Sequence, residues 1–196
     1  MWIIKCVSQT LKKVDKHMKQ IFYFSFALFL FACSEDPKQS AEDKTKELLQ
    51  DFKKYEDSLG VMQVNSKVTN STTAVQYAEK CIAVAEEIPQ SEEAPKLLDK
   101  AHMIFCNFNM HRRSLDPATK IIKDYPYYKN RLMVIQSVAN AYDMFILPRE
   151  KNQAKKYYEM YLKENKSISK EEKADLEFRI KNIDLTVDQL IEVQNK

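Results

Sequence analysis

Apolar positions first cluster in an uncharged run, Ile21 to Ala32. At twelve residues it is well short of the roughly 20 needed to span a bilayer. Lys19 precedes it, and Cys33, Ser34, Glu35, Asp36 and Pro37 follow. A basic start, a short apolar core and a small residue before a cut describe a secretory signal peptide, residues 1–32. Residues 33–45 are polar and acidic and read as a tether. Then Leu48, Phe52, Tyr55 and Leu59 recur at four-three-four spacing, which predicts a helix over 46–60 with Gly60 as its C-cap. The stripe suits packing onto a domain; about two heptads are too few for a coiled coil. Residues 61–70 read as a loop.

From Ser71 onward, runs with helical periodicity alternate with proline-marked breaks. The first runs from Ser71 or Thr72 to Ile88 and stops at Pro89; the second spans about 92–108, with Pro95 in its first turn. A third covers about 112–124, where Pro117 either interrupts the helix or restarts it at Asp116. A fourth covers 128–145, a fifth 149–164, and Ser169 with Glu172 forms a capping box for a sixth. A short last helix begins near Thr186. Three helices end comparably, at Pro89, Pro126 and Lys166, at intervals of 37 and 40 residues. Small residues, Ser114 and Ala154, precede two of those ends by twelve residues, where close helix approach needs them. Such periodicity indicates stacked helical hairpins over 71–196.

Composition sharpens this. Gly60 is the only glycine. Hairpin turns and phosphate-cradling loops both rely on glycine, so all-β and most nucleotide-binding folds are excluded. The formal charge of +3 is carried by the leader, where five lysines face one acid. Without it 26 basic and 27 acidic residues remain, interspersed in sign, and no basic face for nucleic acid is expected.

The tetrapeptide Leu30-Phe31-Ala32-Cys33 resembles the lipobox of bacterial lipoproteins. The resemblance implies cleavage before Cys33 and acylation there, and several acyl chains hold stably where one does not. Met18-Lys19-Gln20 begins a compact signal peptide without help and is an alternative start. Ser34-Glu35-Asp36, with no Asp directly after Cys33, is similar to the acidic tag of some outer-membrane or cell-surface lipoproteins. The segments Glu93 to Ala101, Ile121 to Pro126 and Gln153 to Leu162, with the ending from Ile180 to Ile191, resemble tetratricopeptide-repeat outer-membrane lipoproteins. This likeness implies an all-α, right-handed superhelical stack of tetratricopeptide-like hairpins, here degenerate, since Asn165-Lys166 stands where Tyr-Pro is usual.

Chemistry is sparse. Cys6 leaves with the leader and Cys33 is acylated, so Cys81 and Cys106 remain. On neighbouring antiparallel helices they are offset by roughly 10 Å along the axis, too far for a disulfide, and two buried free thiols are expected. His102 and Cys106 share a helix face, but with Cys81 they match no zinc spacing, and a core-flanking His is the simpler reading. No metal, cofactor or catalytic constellation is expected; carboxylates alternate with lysines as on a solvated face. The tyrosines Tyr127, Tyr128, Tyr157 and Tyr158 come in adjacent pairs that cannot both face one core, so at least one of each is expected to face solvent or a contact, and the four are the candidate partner contacts. The expected role is a lipid-anchored scaffold binding another envelope protein at the bacterial outer membrane, on its periplasmic or outer face. A surface module binding a glycan or peptide is the alternative, and a paired-carboxylate hydrolase ranks last.

Overall fold

The computed structural model describes residues 37–58 and 71–194. The leader, Cys33, Gly60 and the loop at 61–70 lie outside the described residues. The chain divides into two compact units, Met1–Glu47 and Leu48–Lys196. The described residues form helices joined by short turns, with no strand among them. The helices are α1 (Pro37–Ser58), α2 (Ser71–Glu87), α3 (Ala94–Asn107), α4 (His111–Asp124), α5 (Arg131–Asn140), α6 (Lys151–Glu164), α7 (Lys170–Lys181) and α8 (Val187–Gln194).

Helix α1 begins at Pro37, inside the segment expected to be a polar tether. Proline suits a first helical position, and Gln, Ala, Glu and Lys follow it, all good helix formers. Residues 39–44 are exposed on every side, so no apolar stripe could mark them as helical. From Leu48 onward the predicted stripe is in use. Phe52 is buried and stacks on Tyr77 at 5.9 Å, and Leu48 and Tyr55 lie half-buried against the same core. Tyr77 donates its hydroxyl to Glu56, which also pairs with Lys100 at 2.9 Å.

Each helix from α2 to α6 packs against the next in sequence, and α7 packs more lightly on α6. Alternate helices also meet: Arg113 of α4 reaches Glu79 of α2 at 2.6 Å, and Tyr128 before α5 reaches Asp99 of α3 at 2.9 Å. Interior positions are small where backbones run close, with Ala78, Ala101, Ala118 and Ala139 fully covered. Ser114 and Ala154, expected at such approaches, are likewise fully buried.

Helix α4 runs unbroken through Pro117, so the restart at Asp116 does not occur. An internal proline costs about 3 kcal/mol through its lost N–H and its clash. Continuing the helix buries Leu115, Ala118, Ile121 and Ile122. At about 1.5–3 kcal/mol for each large aliphatic side chain, that burial outweighs the proline. The fourth predicted helix starts late and ends in a π turn, Ala141–Phe145. The wider turn aims Asp143 inward and leaves Met144 and Phe145 exposed.

Ser169 caps α7 by accepting from the Glu172 N–H at 3.0 Å, but the Glu172 carboxylate turns away to accept from Tyr161 at 2.8 Å. Only half of the predicted capping box forms there. The reciprocal box appears at α8, where the Thr186 hydroxyl accepts from the Gln189 N–H at 3.3 Å. The Gln189 amide oxygen returns the contact, accepting from the Thr186 N–H at 2.9 Å.

Candidate partner-binding cleft

The turns at 88–93 and 125–130 close the α2–α3 and α4–α5 connections. In the first, Ser91 N–H donates to Ile88 C=O at 2.9 Å; in the second, Tyr128 N–H donates to Tyr125 C=O at 3.1 Å. Pro89 and Pro126 follow the ends of the preceding helices, since proline disfavours a helical conformation in the residue before it. The Tyr125 hydroxyl donates to the Pro89 carbonyl at 3.1 Å and ties one turn to the other. Between them opens a cleft of about 730 Å³, walled by Pro89, Pro95, Tyr125, Pro126, Tyr127 and Tyr128. Glu92, Lys96, Asp124 and Lys129 rim it. Lys96 pairs with Glu93 at 2.6 Å and Asp124 with Lys120 at 3.1 Å, so the rim is close to neutral.

The three tyrosines divide the work. Burial and the neighbouring Asp99 raise the Tyr128 phenol well above its ordinary value, since its hydroxyl donates to that carboxylate, as does Asn130 at 3.0 Å. Burial likewise raises Tyr125. Tyr127, between them, is 98% exposed. In this pair one ring is half-buried and the other faces solvent, as expected of adjacent tyrosines.

Tyr157 and Tyr158 do not follow that expectation: both are buried. Tyr157 stacks on Tyr142 at 5.8 Å, and the Tyr158 hydroxyl lies 2.9 Å from Asn140 Oδ1 and 3.0 Å from Asp143 Oδ2. A helix with neighbours on two sides has a covered sector wider than the 100° between consecutive residues, so both rings fit inside it. As placed, neither faces solvent.

Tyr158 leads to a charged cluster that pattern reading missed. Asp143, 3% exposed, receives Arg149 Nε at 2.8 Å on one carboxylate oxygen and Arg179 Nε at 2.7 Å on the other. The guanidinium groups extend to the Leu185 carbonyl at 2.8 and 3.0 Å, fastening the segment between α7 and α8. Burial would raise the Asp143 carboxyl, but Arg179, Tyr158 and Arg149 outweigh it and hold the group below its ordinary value. The available signal was one acid in the mostly apolar stretch from Val138 to Phe145, whose other polar member is Asn140.

Cys81 and Cys106 are both unbridged, as expected. Cys81 is fully buried, which pushes its thiol up to about 12. Cys106 is only half-buried, correcting the expectation of two buried thiols. Its neighbour His102 is 1% exposed and held from two sides, by the Ser114 carbonyl at 3.0 Å from Nδ1 and the Ser137 hydroxyl at 2.9 Å from Nε2. A carbonyl only accepts, so Nδ1 carries the proton. Among the described residues, no three His, Cys, Asp or Glu side chains converge as a metal site, and no helix is long and apolar enough to cross a membrane. The chain matches no family model, no curated protein and no solved structure.

Proposed function

We propose that this protein is a lipid-anchored helical-repeat scaffold that binds another protein at the bacterial cell envelope. The observation that carries the reading is Tyr127, fully presented to solvent over a cleft built from two stacked turns. An exposed aromatic on a rigid edge is costly to leave in water and is the kind of anchor that interfaces concentrate their energy on. The Tyr125–Pro89 tie and the Asp99 network fix the cleft before any partner arrives, which lowers the ordering cost of binding. Contacts between alternate helices support reading the hairpins as a tetratricopeptide-like superhelical stack. The lipobox at Leu30-Phe31-Ala32-Cys33 supports the anchor at Cys33.

A glycan or peptide ligand is the second reading, favoured by a cleft volume within the range of small-ligand sites. Crosslinking of cells that carry the tagged full-length chain separates the two. One dominant envelope protein, reduced in both Tyr127→Ala and Cys33→Ala, is the expected result. Recovery of the chain alone, with glycan or peptide binding that depends on Tyr127, moves the function to the second reading. A captured partner indifferent to Tyr127→Ala refutes the cleft as its seat.

A further inference from the structure

Away from the cleft, α3, α4 and α5 bring a thiol, an imidazole and two hydroxyl-bearing residues together. Cys106 Sγ lies 3.8 and 3.9 Å from the two ring nitrogens of His102. The two N–H axes of an imidazole diverge, so an atom equidistant from both nitrogens lies on neither. The sulfur therefore senses the charge of the ring and is not hydrogen-bonded to it in plane. That charge is permitted by the partners of the ring. Nδ1–H donates to the Ser114 carbonyl in either protonation state. Nε2 accepts from the Ser137 hydroxyl when the ring is neutral and donates to it when the ring is cationic, because a hydroxyl rotates to either role. His102 can thus take up a proton in a buried site with no polar group left unpaired.

From this geometry we propose that Cys106 is a reactive thiol that exchanges with small disulfides. As the thiol ionises, its proton passes to the Ser137 hydroxyl oxygen while that hydroxyl gives its own proton to His102 Nε2, which then donates back to it. The thiolate sulfur then attacks one sulfur of the disulfide. A bond forms between Cys106 and that sulfur, the original S–S bond breaks, and the departing thiolate takes up a proton. The incoming disulfide is the oxidant, so electrons balance. Burial raises the Cys106 thiol, but His102 and the hydroxyls of Ser114 and Ser137 outweigh it, leaving the group below its ordinary value. Burial lowers His102, and the Cys106 sulfur and Ser114 carbonyl overcome it, leaving the ring above its ordinary value. The other titratable groups facing the ring are Asp99 from α3 and His111 from α4. Cys81, deeply buried with a raised thiol, is the unreactive comparison within the same chain.

The full-length chain in mild detergent is treated with 5,5′-dithiobis(2-nitrobenzoate) across a pH series, with oxidised glutathione as a second probe. Mass spectrometry assigns the labelled cysteine. Cys106 is expected to react first, with a rate midpoint below that of an unstructured peptide of its own sequence. Ser137→Ala removes the reversible partner of Nε2. It is expected to raise the midpoint and slow labelling at neutral pH roughly threefold or more, with an unchanged circular dichroism spectrum. A Cys106 midpoint at or above that of the peptide overturns the proposal. So does a midpoint indifferent to Ser137→Ala in a folded variant, or a Cys81 that reacts as fast as Cys106.

Discussion

Asp143→Asn tests the packing of the second half of the chain most directly. The carboxylate is buried and accepts from the guanidinium groups of Arg149 and Arg179, whose side chains are only 17% and 11% exposed. Asn keeps the shape but removes the charge, and turns an NH₂ donor toward donors. Removing one partner of a buried ion pair costs about 3–5 kcal/mol, because the remaining charge is left uncompensated. Two such charges remain here, so a loss of about 4 kcal/mol is expected, a large share of the 5–15 kcal/mol that typically holds a domain folded. With a urea dependence of about 2 kcal/mol/M, the midpoint followed by far-UV circular dichroism falls by about 2 M. The effect also has a pH signature. The folded Asp143 carboxyl titrates below its unfolded value of about 3.9, so its contribution is complete above that pH. The contribution disappears as pH falls through the lower folded value, and the wild-type chain loses stability in that acid window. Asp143→Asn lacks this component, so the gap between the two proteins narrows as pH falls. A midpoint drop below about 0.5 M at neutral pH, or a gap constant down to pH 2, would refute the cluster as a buried staple.

The tyrosine pairs give a second comparison. Tyr157→Ala empties a stacked, buried site and is expected to cost about 3 kcal/mol in urea unfolding, whereas Tyr127→Ala changes stability by less than about 0.5 kcal/mol. Equal effects would contradict the assignment of one ring to the core and the other to solvent. At α7, Ser169→Ala removes the acceptor of the Glu172 N–H and is expected to lower stability by about 1 kcal/mol, with Ser169→Asp restoring it. No change on Ser169→Ala would mean that α7 frays independently of the fold.

Helices with a stripe were legible along the chain because burial of one face imposes a period on the sequence. Leu48, Phe52 and Tyr55 declared α1 in this way, and the prolines at 89 and 126 marked the ends of α2 and α4. The exposed start of α1 was illegible for the same reason: a helix with no buried face writes no period. Ser114 and Ala154 could be placed at close approaches from size and spacing alone, since only small side chains fit there.

The candidate site divides along the same line. The expected separation of adjacent tyrosines is seen at Tyr127 and Tyr128, which sit in a turn where Asp99 holds one ring and solvent surrounds the other. That Tyr157 and Tyr158 are both covered depends on α6 having neighbours on two sides, which no local pattern records. The link from Asp143 to Arg149 and Arg179 spans up to 36 residues, and the ring of His102 meets Ser137 across 35. Sequence by itself determined the helical class and most helix ends, because these depend on composition and periodicity. Only the tertiary structure decided which charges are buried together and which tyrosine reaches solvent. Those outcomes depend on which helix faces meet, and electrostatics and burial act through space without regard to distance along the chain.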